Sequence, residues 1–172
     1  MRINFFIDSD LGDYEAGRAE YAHLWREDGE RIVVALERAS GLVFREHTVN
    51  AIVFEGRSQS HPLGLRHNIP TEYKRSELVH ELGHRLLLGR GREMETSEKR
   101  HRFLFLVLFG VLADLYGEQF ARETVFRDSG FDSMYKDVWD WARAFTVDER
   151  RDEFTKLKSE NVDIHNRHKT VP

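Results

Sequence analysis

The first part of the chain contains short apolar runs and one long segment with apolar residues at helical spacing. Two short apolar runs rich in β-branched and aromatic residues, Ile3–Ile7 and Val49–Glu55, predict strands. An extended segment, Leu63–Asn68, predicts a third strand. Residues 14–39 carry apolar side chains at helical spacing, and Asp28-Gly29 is a point at which this helix can break.

The rest of the chain predicts helices. Thr71 is a suitable N-cap for a helix over about Glu72–Leu88, and Gly89 and Gly91 supply its end. Three more helices are expected, over about Glu98–Arg122, over Phe131–Phe145 and after the capping box Thr146-Val147-Asp148-Glu149. The predicted fold class is α+β: one domain over residues 1–160, with a small sheet packed on the 72–88 helix and on a second long core helix. Residues 161–172 are predicted to form a polar tail.

Composition narrows the class of protein. The 172 residues are 40% hydrophobic and 33% charged, as in globular domains, and the net charge of −4 is too small to favour nucleic acid or a membrane as a partner. Without cysteine, disulfides and thiolate metal sites are excluded. The N-terminus lacks signal-peptide features, and the longest apolar run, Phe103–Ala113, is shorter than the roughly 20 residues of a membrane span. The expected location is the cytoplasm.

The 72–88 helix carries the segment His80-Glu81-Leu82-Gly83-His84. Positions i and i+4 share a helix face, so both imidazoles can reach one ion, and Glu81 can reach a water on that ion. The five residues can arise by chance in a chain with nine histidines. Two features favour a metal site: an apolar stripe formed by Val79, Leu82 and Leu86, and Gly83, which costs about 1 kcal/mol inside a helix.

The stretch VHELGHRLL, preceded by a short strand and followed by a second helix, resembles the zincin metallopeptidases in a minimal form. The resemblance spans about Val49–Ala121 and is specific only in the five-residue motif. It implies that His80 and His84 bind one catalytic zinc ion and that Glu81 is the general base. The metzincin extension is absent, because no histidine follows His84 at the required spacing.

A third ligand is expected from the next predicted helix. Asp114 interrupts its apolar run, and a carboxylate in an apolar interior is costly unless it is paired or bound to metal. In the gluzincin branch the third ligand is an acid on such a helix, often followed four positions later by a supporting acid. Asp114 and Glu118 match that spacing, with Asp in place of the usual Glu. Glu118 as the ligand and His101 as the ligand remain alternatives, and His101 lies on a different helix face from Asp114.

The function expected from these residues is zinc-dependent hydrolysis of peptide bonds, with a zinc-activated water and Glu81 as general base. A peptide or protein substrate is expected to pair with an edge strand near Leu63–Asn68. The alternative is a zincin scaffold that serves as a regulatory or sensor protein and binds or cleaves one specific partner. The presence of Glu81 favours the enzyme, since a structural metal site has no use for that carboxylate.

Overall fold

A computed structural model describes residues 1–8, 14–88 and 96–168 of the chain. The chain divides into two compact units, Met1–Leu86 and Leu87–Pro172. The order of elements in the described part is β1 (Arg2–Ile7), α1 (Glu15–Ser40), β2 (Thr48–Phe54), β3 (Leu63–Arg66), α2 (Thr71–Leu88), α3 (Ser97–Tyr116), α4 (Glu118–Phe131), α5 (Ser133–Ala144) and α6 (Val147–His168). The predicted α+β class is confirmed. The single domain over residues 1–160 stays a prediction.

The N-terminal unit contains a parallel sheet with the strand order β1-β2-β3. Ile3 pairs with Val49, and Ala51 pairs with Leu63, so the central strand β2 is bonded on both sides. Alternate residues of each strand point to the same side of the sheet. The residues on one side are buried: Ile3, Val49, Ala51, Val53, Leu63 and Leu65. All three strands were predicted within two residues at each end, β1 and β2 from apolar runs and β3 from an extended segment.

Helix α1 runs without interruption through Asp28-Gly29, so the break considered there does not occur. The Asp28 carboxylate accepts a hydrogen bond from Arg31 Nη1 at 2.8 Å. Gly29 lies against the indole of Trp25, where an added Cβ would come within 2.7 Å of the ring. The glycine therefore permits close packing inside the helix and does not end it.

The C-terminal unit contains α3 to α6, and the long helix predicted over Glu98–Arg122 is wrong in one respect. The helix ends at Tyr116, and a new one begins at Glu118. Gly117 between them has φ +91° and ψ 157°, a backbone conformation that L side chains rarely adopt. Asp114 and Glu118 therefore lie on different helices.

Aromatic side chains form the interior of the C-terminal unit. The rings of Phe105 and Trp139 stack with centroids 3.9 Å apart, and those of Phe103 and Phe154 stack at 4.7 Å. Trp139 is fully buried. Stacked rings thus join α3 to α5 and to α6.

The ends of the helices agree in part with the predictions. The capping box is confirmed: Glu149 N–H donates to Thr146 Oγ1 at 3.3 Å, and Thr146 N–H donates to the Glu149 carboxylate at 2.8 Å. Thr71 is the first residue of α2, and its hydroxyl donates to Glu20 at 2.9 Å. Gly89 and Gly91 lie outside the described residues. Residues 161–168, assigned to the tail, continue α6.

Among the residues that the structure describes, no helix combines the length and the apolarity that crossing a membrane requires.

Candidate metal centre on helix α2

His80 and His84 lie on successive turns of α2, with ring centroids 4.7 Å apart and planes inclined at 70°. His84 is 6% exposed, and His80 is half-buried. Residues four apart on a helix present their side chains to the same side, so the spacing in the sequence becomes a spatial pair of imidazoles. Two such nitrogen donors fit a transition metal such as zinc.

Glu81 is a buried carboxyl with an unusual environment. It is 7% exposed, and no hydrogen bond or ion pair reaches it from any residue in the described part of the chain. Burial raises the pKa of Glu81 to about 8, and the negative charge of Glu77 adds to this shift. A divalent cation close by would oppose both effects, since it favours the charged form of a carboxyl. The two imidazoles are a donor pair that fits a bound cation, and Glu81 directly follows the first of them in the sequence.

Charged side chains anchor α2 on both sides of this segment. Lys74 is 3% exposed, and its Nζ lies 2.7 Å from Glu20 on α1. Arg85 is also buried and donates to both oxygens of Glu46, at 2.6 Å from Nε and 2.7 Å from Nη2. A bidentate pair of this kind fixes direction as well as distance. Because Arg85 directly follows His84, this contact restricts rotation of the helix about its axis.

The C-terminal end of β3 approaches the same helix. Arg66 Nη2 lies 3.6 Å from the Glu77 carboxylate, and the Tyr21 hydroxyl donates to the Arg66 carbonyl oxygen at 3.0 Å. Glu77 is one helical turn before Glu81. The strand that was expected to bind substrate thus contacts the helix that carries the motif.

His101, the alternative ligand, lies on α3 in the C-terminal unit and is 7% exposed. Its Nδ1 is 2.7 Å from the carbonyl oxygen of Ser97. A carbonyl only accepts, so Nδ1 carries the hydrogen and the neutral ring has its lone pair on Nε2. Burial lowers the pKa of His101, and the bond to Ser97 only partly opposes this. This lowered pKa favours the neutral ring, the form in which histidine binds metal.

The two acidic candidates have different surroundings. Asp114 lies on an exposed position of α3. The side chain of Glu118 is 62% exposed and forms an ion pair with Arg122 on the next turn of α4. The premise that both acids follow each other on one continuous helix is wrong, since Gly117 separates α3 from α4. Asp114 and Glu118 as metal-site residues stay predictions.

Sequence reasoning missed the side chains that hold the motif helix in place. The Lys74–Glu20 and Arg85–Glu46 pairs join residues 54 and 39 positions apart. No local pattern links such residues. One feature of the sequence could have indicated these pairs: Lys74 and Arg85 lie on a helix that also carries an apolar stripe. A cation that such a helix buries requires an anionic partner.

Comparison with known proteins gives no match: no family model, no curated protein and no solved structure is similar to this chain.

Proposed function

We propose that this protein is a zinc-dependent hydrolase of peptide bonds in which His80 and His84 bind the metal and Glu81 is the general base. One observation carries the proposal. Glu81, a buried carboxyl without a cationic partner in the described residues, directly follows the first of two histidines that share a helix face. A strongly perturbed acid beside potential metal ligands is typical of a catalytic site.

A zinc ion held by these histidines would supply Lewis acidity and lower the pKa of a water molecule to about 7. Glu81 would accept the proton of the attacking water and then transfer it to the leaving amine, so that one carboxyl serves as base and as acid. The buried position of Glu81 excludes bulk water from this proton transfer. Arg85 and Lys74 would keep the helix oriented while the proton moves.

We also propose His101, in preference to Asp114, as the third ligand. The hydrogen bond from Nδ1 to the Ser97 carbonyl orients the ring and favours Nε2 as the donor, an arrangement typical of metal-binding histidines. Asp114 is exposed, whereas a ligand of a buried metal is expected to be buried. His101 is also nearer to the motif along the chain.

The substrate and the location belong to the same proposal. We propose a peptide or protein substrate, because a metal-site general base and an adjacent edge strand together suit an extended chain. We place the enzyme in the cytoplasm on the sequence features described above.

The function is tested with Glu81→Gln, which keeps the shape of the side chain and removes its basicity. We expect bound zinc to be unchanged and cleavage of fluorescein-labelled casein to fall by about 10²–10⁴-fold. Glu72→Gln, on an exposed position of the same helix, is the matched control and should keep full activity. Cleavage that survives Glu81→Gln would contradict the assigned role of this residue.

A further inference from the structure

Strand β3 is an edge of the sheet, but its outer side is already hydrogen-bonded. Gly64 N–H donates to the Gln59 carbonyl at 2.9 Å, and Gln59 N–H donates to the Gly64 carbonyl at 2.9 Å. This antiparallel bridge contains the same pair of bonds that an extended peptide makes when it adds to an edge strand. The backbone at Gln59 therefore already occupies the position that an added strand would take.

Arg66 is the next residue of β3 whose backbone amide and carbonyl point away from β2, and both groups are also hydrogen-bonded. Arg66 N–H donates to Ser58 Oγ at 3.0 Å, and the Arg66 carbonyl accepts from the Tyr21 hydroxyl at 3.0 Å. The backbone groups of Gly64 and Arg66 that point away from β2 thus all bond to this chain's own residues. We call the segment Ser58–Ser60, which covers most of these groups, the edge strap.

The edge strap is also tied to the motif helix. Arg85 Nη1 donates to the carbonyl oxygen of Ser60, while the rest of the guanidinium holds Glu46. Arg85 is 9% exposed and directly follows His84. A single buried arginine therefore connects the edge strap to the turn that carries a candidate metal ligand.

We propose that the edge strap is an autoinhibitory segment that must leave the outer edge of β3 before an extended peptide can pair there. This inference rests on the proposed function, since it concerns access to that site. A peptide forms backbone hydrogen bonds to Gly64 and Arg66 only when the bonds of these residues to Gln59 and Ser58 break. Each internal bond that must break in this way lowers the affinity for the peptide by about fivefold. Chains that release the edge strap would be the preferred substrates.

The test uses zinc-loaded protein carrying Glu81→Gln, so that binding is measured without cleavage. Ser58→Ala removes the acceptor of the Arg66 N–H, and Gln59→Pro removes the donor to the Gly64 carbonyl. Ser60→Ala is the matched control, because it changes only a hydroxyl near the exposed His61 and keeps the carbonyl bound by Arg85. The probe is fluorescein-labelled, unfolded casein, and binding is followed by fluorescence anisotropy.

In Ser58→Ala we expect the Arg66 amide to exchange its hydrogen about tenfold faster and casein to bind about fivefold more tightly than in Ser60→Ala. Gln59→Pro should increase the affinity further. Equal casein affinity in Ser58→Ala and Ser60→Ala, or an unchanged exchange rate at Arg66, would overturn the proposal, even if Gln59→Pro fails to fold.

Restoring Glu81 separates this inference from the proposed function. Tighter casein binding together with faster cleavage supports both. Tighter binding without any cleavage supports the autoinhibitory segment and contradicts the peptidase.

Discussion

The two compact units stabilise their interiors in different ways. In the described part of the chain the N-terminal unit buries most of the polar side chains: Asp28, Ser40, Lys74, Ser76, Glu81, His84 and Arg85, against His101 and Thr124 in the C-terminal unit. The C-terminal unit instead stacks aromatic rings, such as Phe105 on Trp139. Buried charge requires a partner, whereas stacked rings require only complementary shape.

This contrast makes one residue stand out. Asp28, Lys74 and Arg85 each form an ion pair with a side chain of opposite charge. Glu81 is also buried in this unit, but it has no cationic partner in the described residues, and Glu77 adds a like charge. This exception agrees with the catalytic role that we propose for Glu81. The comparison therefore points to the same residue as the sequence motif.

The largest expected effect concerns the metal. His84→Ala removes one of two imidazoles from α2, and the remaining ligands should hold zinc poorly, so about one equivalent of bound zinc should fall to near none. Metal content after zinc-replete expression, measured by mass spectrometry, checks this result. His23→Ala, at an exposed position of α1, is the control and should keep the metal. A His84→Ala protein that retains zinc would remove the basis for treating the N-terminal unit as the functional one.

The next effect compares the candidates from the C-terminal unit. Loss of a residue that supports a ligand weakens zinc binding by about 10–100-fold. Loss of a direct ligand should weaken it by more. We expect His101→Ala to exceed this range and Asp114→Asn and Glu118→Gln to stay within it. Titration against a competing chelator, with circular dichroism to verify folding, orders the three variants. If Asp114→Asn is the most damaging, the acidic third ligand is correct and His101 is only a buried polar residue.

A smaller effect tests the rule that buried charge needs a partner. Glu46→Gln leaves the Arg85 guanidinium buried without its carboxylate, which should lower the free energy of unfolding by about 3 kcal/mol. Glu98→Gln breaks an exposed pair with Arg102 on α3 and should cost less than about 0.5 kcal/mol. Urea denaturation measures both. Equal effects of the two substitutions would show that burial does not separate these ion pairs.

The smallest effect concerns the backbone of the C-terminal unit. Gly117→Ala places a side chain at φ +91°, which should destabilise the protein by about 1 kcal/mol although space for a Cβ is open. Gly130→Ala also has open space but lies within α4, where alanine should stabilise by about 0.5–1 kcal/mol. Thermal unfolding should therefore shift in opposite directions. Shifts of the same sign would contradict the conformational explanation of the break between α3 and α4.

Local patterns determined a good part of the fold. The strands β1 and β2 follow from short apolar runs, β3 follows from an extended segment, and the start of α6 follows from the capping box of Thr146 and Glu149. The side-by-side placement of His80 and His84 follows from helical periodicity alone. Each of these features depends on residues a few positions apart, so a single sequence contains the information.

The tertiary structure decided the features that depend on distant residues or on competing local preferences. Gly29 was compatible with a break, but α1 continues through it, whereas Gly117 ends α3 where continuity was expected. The Arg85–Glu46 pair joins residues 39 positions apart, and the burial of Glu81 and the exposure of Asp114 depend on what packs around each helix. Sequence spacing fixes which residues share a helix face, but only the folded chain determines which of those faces exclude water, because burial is a property of the surroundings.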